Sequence, residues 1–69
     1  MKIEWENRNN YSAENFFIED EETGLGLYGY YGLDYFEISI PVYMDRKAFL
    51  RLKEMSDMMA TEIKELEKS

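Results

Sequence analysis

Gly24-Leu25-Gly26-Leu27-Tyr28-Gly29 follows the spacing G-x-G-x-x-G, which in a dinucleotide-binding turn lets the backbone approach a pyrophosphate. That chemistry needs an apolar strand before the glycines and a helix N-terminus after them to receive the phosphate. Here the acidic run Glu19-Asp20-Glu21-Glu22 precedes the glycines and repels phosphate, and Tyr30-Tyr31-Gly32 does not open a helix. The glycines are instead expected to shape a twisted strand or bulge and to let tyrosine rings lie across it. A calcium loop alternates its ligands around a glycine at a sharp turn, so four contiguous carboxylates read as a solvated turn. Glu4 and Glu6 pair on a wet strand face, with nothing to mark a shared acid–base site.

The chain of 69 residues has no His and no Cys, which removes the usual activated nucleophiles and thiolate metal sites. Ser12, Ser39, Ser56 and Ser69 stand in no recognisable motif. So short a chain also struggles to enclose and dry a reaction site. The expectation is a protein that is not an enzyme and that uses neither cofactor nor metal.

What the residues do offer is contact. Tyr28, Tyr30, Tyr35 and Tyr43 are expected on the sheet face opposite Leu27, Ile38 and Ile40, with Glu37 among them. Tyrosine couples a rigid apolar ring to a polar tip, and carboxylates beside it steer a basic partner. The expected partner-binding set is therefore Glu19, Asp20, Glu21, Glu22, Tyr28, Tyr30, Tyr35, Glu37 and Tyr43.

The elements that must position these residues can be read from period. Ile3 and Trp5 alternate with Lys2, Glu4 and Glu6, a short strand whose pairing is left open. Asn7 to Asn10 reads as a polar turn, and Asn10-Tyr11-Ser12 matches a glycosylation sequon by chance. A second strand is expected within residues 11–20, where Phe16 and Phe17 are adjacent and cannot both point inward. After the acidic turn, Leu25 to Tyr31 forms a third strand, with Leu25, Leu27 and Tyr31 on one face, and Gly32-Leu33-Asp34 turns again. Phe36, Ile38, Ile40 and Val42 then alternate with polar and tyrosine positions as a half-buried antiparallel strand, and Pro41 puts its end at an edge or out of the sheet.

Asp45 is a good helix N-cap, and from Arg46 to about Lys68 the period changes. Ala48, Phe49, Leu52, Met55, Met59, Ile63 and Leu66 share one stripe with Ser56 and Ala60, leaving Leu50 and Met58 off it. Such a helix, roughly 35 Å long, should overhang strands of about 20–27 Å. Ile63 and Leu66 then need cover, which ordinary core packing onto the sheet supplies on the first reading. On the second, self-association through Met59, Ile63 and Leu66 supplies it, helped by a heptad reading of Phe49, Ser56, Ile63 and of Leu52, Met59, Leu66. The expected fold is one α+β domain over 1–69: an antiparallel meander of three to four strands in 1–44, then a long amphipathic helix in 45–68.

Charge adds an asymmetry. The net charge is −7, yet residues 1–45 carry −8 and all six tyrosines, while residues 46–69 carry +1. Direct nucleic-acid binding and anionic membranes are disfavoured by that sign, and no stretch approaches the ~20 apolar residues of a membrane span. The first residues lack the apolar run of a secretion signal, so cytoplasm is expected. The function expected is a small acidic inhibitor that occupies a basic, nucleic-acid-binding surface of a target protein. In size and charge the chain resembles the small acidic inhibitors that phages make against host defence, such as anti-CRISPR proteins, and no motif carries that resemblance. The alternatives are a homo-oligomeric adaptor dimerising through its helix, and an antitoxin-like neutraliser.

Overall fold

The computed structural model describes residues 2–6, 15–30 and 35–68. The expected turns at 7–10 and 32–34, Tyr31 and the sequon at 10–12 lie outside these residues. Four strands, β1 (Glu4–Glu6), β2 (Asn15–Asp20), β3 (Leu25–Tyr30) and β4 (Tyr35–Ser39), precede one helix, α1 (Arg46–Glu67). Each strand pairs antiparallel with its chain neighbour, in the order β1-β2-β3-β4. The fold is therefore an α+β meander followed by a C-terminal helix, and β1 does join the sheet, with Glu4 opposite Phe17.

Register settles which way the adjacent phenylalanines point. Phe16 lies opposite Gly29, and a Cβ at Gly29 would fall 2.5 Å from the Phe16 Cζ. The missing side chain is the space that admits the Phe16 ring to the inner face, where Trp5 lies 5.0 Å away and Phe36 meets it edge-on at 6.3 Å. Phe17 takes the outer face and stacks on Tyr28 at 6.1 Å. Phe16, Ile18, Leu25 and Met55 are fully buried, each stabilising the fold by about 1.5–3 kcal/mol relative to exposure. The β2–β3 turn closes on Gly24, whose φ of 79° is the left-handed conformation that spares a Cβ its steric penalty.

The helix begins as its cap requires: the Asp45 carboxylate accepts from the Ala48 N–H at 2.8 Å. Lys53 pairs with Asp57 at 2.8 Å and Arg51 with Glu54 at 3.8 Å, the local support expected of i,i+4 and i,i+3 neighbours. The buried face differs from the expected stripe. Ala48, Met55 and Met59 are buried and Met58 packs against the core, while Phe49, Ser56 and Ala60 are exposed. At about 100° per residue the helix is turned by roughly 50° from that expectation. In this orientation Arg51 reaches the Asp20 carboxylate at 3.0 Å, a long-range ion pair that the stripe alone does not anticipate.

Two further expectations are corrected. The helix does not leave its C-terminal half uncovered, because Met59 is in the core and Ile63 and Leu66 pack against it, as does Ile3. Met59 is thus buried within the chain, and Ile63 and Leu66 are partly buried against the same core, the packing of the first reading. The alternation of Phe36, Ile38, Ile40 and Val42 does not mark a half-buried strand. All of β4 is exposed, it ends at Ser39, and Ile40 and Val42 lie beyond it. One helix is about 10 Å wide, whereas the outer axes of four strands are roughly 14 Å apart. The helix packs its buried side chains on Phe16, Ile18 and Leu25 of β2 and β3, with Ile3 also against that core, and β4 is left exposed along its whole length.

Candidate protein-binding face

The outer face of the sheet is built by simple alternation. Glu4, Phe17, Tyr28 and Glu37 form one row across all four strands, each opposite the next. Two rings stand at the centre of that row with a carboxylate at each end, about 14 Å apart at the usual strand spacing. Glu19, Tyr30 and Tyr35 flank it, and the Tyr30 and Tyr35 rings lie 5.6 Å apart. The four strands contain no lysine or arginine.

The phenols and carboxylates hold one another. Tyr28 donates to Glu19 at 2.6 Å, and Tyr35 and Tyr30 donate to Glu37 at 2.9 and 3.5 Å. Gly26 makes the first bond possible, since a Cβ there would fall 2.5 Å from the Tyr28 Oη. This is the ring laid across a glycine that the sequence anticipates. The hydrogen bond to Glu19, with partial burial behind it, pushes the Tyr28 phenol up to about 12, and Glu37 raises Tyr35 in the same way. Glu19→Gln is accordingly expected to bring Tyr28 back toward the ordinary tyrosine value near 10. An NMR titration of the Tyr28 ring carbons reads this, and an unmoved Tyr28 would contradict the bond.

A shallow cleft of about 160 Å³ opens beside these groups, lined by Asn15, Phe17, Glu19, Tyr28 and Tyr30. It is smaller than the ~300 Å³ at which small-molecule sites begin, and it has the size of one side-chain head group. A cation seated there meets ring faces and a carboxylate together, each favourable to positive charge.

The nine residues expected to bind a partner do not form one patch. Glu19, Tyr28, Tyr30, Tyr35 and Glu37 come together on the outer face, joined by Glu4 and Phe17, whose membership follows from alternation once the register is known. Tyr43 is exposed in the segment between β4 and α1, off the sheet. The acidic run divides. Asp20 faces inward and is only 9% exposed, accepting from the Thr23 hydroxyl, the Thr23 N–H and Arg51, which makes it a structural group and not a contact residue. Thr23 foremost, with Arg51, holds its carboxyl below the usual range. Glu21 and Glu22 sit exposed in the turn, but Glu22 accepts from Lys47 and from Arg51 at 3.4 Å, and Lys47 lowers its pKa. The helix thus neutralises one end of the acidic run, and among the described residues no lysine or arginine forms an ion pair with Glu4, Glu19 or Glu37 on the outer face.

Among the described residues no group of three or more acidic side chains is placed to hold a metal ion, and no helix is long and apolar enough to cross a membrane. The fold and face define a small α+β protein with an acidic, aromatic sheet surface. Comparison with known proteins supplies no relative: no family model, curated protein or solved structure matches the chain.

Proposed function

We propose that the chain is a small protein-binding inhibitor in the cytoplasm, whose outer sheet face occupies a basic surface of a target protein. The observation that supports this most is the row Glu4-Phe17-Tyr28-Glu37, with Glu19 beside it, on strands without a cation. The carboxylates would take the place of phosphates against the lysines and arginines of a basic groove, and the rings supply contact area that charge alone does not. Phenol hydrogen bonds fix Glu19 and Glu37 before binding, which reduces the side-chain entropy lost on association. A stoichiometric blocker of this kind fits the phage anti-defence role suggested by size and charge, and it needs no catalytic group. An antitoxin that neutralises a basic toxin would use the same face.

The test is affinity capture with the wild-type chain beside Glu19→Lys/Glu37→Lys and Tyr28→Ala/Tyr30→Ala variants, followed by competition between the captured protein and nucleic acid. Both double variants should lose at least about tenfold in affinity. Wild-type binding should weaken steeply between about 50 and 500 mM salt, because exposed charges are screened. A partner retained equally by all three chains, or one whose nucleic-acid binding is untouched, would overturn the reading.

A further inference from the structure

Among the described residues, six of the nine exposed large hydrophobic side chains fall within residues 35–43. Three of them, Phe36, Ile38 and Ile40, are 44%, 51% and 53% exposed, at the side of the sheet that α1 fails to cover. Phe49, 61% exposed, lies about 160° around the helix from Arg51, which is turned to β2, so Phe49 faces the β4 flank. Among the described residues no strand lies beside the outer edge of β4. Its residues Tyr35–Ser39 include neither proline nor lysine, the usual guards of an open edge, and Pro41 lies two residues past its end, where it limits the length of any added ladder.

We infer that β4 is a dimerisation edge, pairing antiparallel with β4 of a second copy to give a continuous eight-stranded sheet. A second copy fits because the strand is self-complementary in one register. With Ile38 on the two-fold axis, Phe36 meets Ile40 of the other copy and Glu37 meets Ser39, so apolar groups meet on one face and no carboxylates oppose each other on the other. Centring on Glu37 would instead set two carboxylates face to face. The exposed parts of Phe36, Ile38, Ile40, Val42 and Phe49 come to on the order of 500 Å² per copy, about 1,000 Å² for the pair, which reaches the lower bound of a specific interface before the backbone ladder is added. Pairing also sets the two outer faces side by side, so that a partner with two basic patches is held bivalently.

Sedimentation equilibrium from about 1 to 500 μM tests this on the intact chain. Twice the chain mass is expected, falling to the chain mass on dilution. Ile38→Lys and Ile40→Lys should each raise the dimer dissociation constant at least tenfold. Ile40 is outside the strand and outside the core, so its variant keeps the test decisive if Ile38→Lys does not fold. Raising the salt should leave the dimer intact or tighten it, since it screens repulsion between two acidic chains. That response is opposite to the one expected for a basic partner, so failure of either reading is distinguishable from failure of the other. A monomer throughout, a dimer indifferent to both substitutions, or growth beyond a dimer would overturn the inference.

Discussion

Phe16→Ala is expected to cost about 3–5 kcal/mol, a large share of the whole stability at 25 °C. A chain of this length has a total stability of only about 3–10 kcal/mol at the usual value per residue. Phe16 is 1% exposed, fills the hollow over Gly29 and touches the rings of Trp5 and Phe36, so its removal opens a cavity that three elements cannot close. Phe17→Ala, one residue along, should cost about 1 kcal/mol, because Phe17 lies on the open face and loses little beyond its stacking on Tyr28. Urea unfolding followed by circular dichroism separates the two. Similar midpoints for both variants would mean that the faces of β2 are assigned the wrong way round.

Arg51→Met is the second large effect, with an expected loss of about 2 kcal/mol at neutral pH. The methionine keeps much of the arginine stem against the sheet but leaves the Asp20 carboxylate buried with Thr23 as its remaining side-chain partner. Lys47→Ala, which breaks an exposed, solvent-screened pair with Glu22, should leave the unfolding midpoint nearly unchanged. Acid sharpens the contrast. Asp20 is held below its ordinary value of 3.8 in the folded chain, so it contributes stability at pH above that value, and this is lost as pH falls through its lower folded value. Wild type should therefore lose stability on the acid side, and Arg51→Met should lose less there, having less to give up. Unfolding midpoints measured from about pH 7 to pH 2 check this; parallel curves for the two chains would show that Arg51 does not act through Asp20.

Much of this architecture is legible in the residues. Asp45 followed by a change of period marks the start of α1, and alternation alone places Tyr28, Tyr30, Tyr35 and Glu37 on one face. Period says which residues share a face; it does not say how far the cover on that face extends. Hence Phe36 and Ile38, apolar and in phase, look buried in the sequence and stand half exposed at the edge of a sheet wider than its helix. Nor does period carry long-range pairing. Asp20 reads as one of four turn carboxylates, and only its 31-residue reach to Arg51 shows that it belongs inside. The same bond accompanies a helix turned away from the stripe that its own apolar residues suggest, with Phe49 exposed and Met58 against the core. Phe16 and Phe17 could be told apart only through the register that sets Gly29 against one of them.

The meander order has a kinetic consequence. Every strand pairs with its neighbour in the chain, so no pairing waits on the closure of a long loop, and the tight β2–β3 hairpin can form first and template the strands on either side. Helix α1 is the last element in the chain and meets the sheet mainly at β3, inside that early hairpin. Assembly can therefore run outward from one local nucleus, with few stages at which half-formed sheet stays open to misassociation.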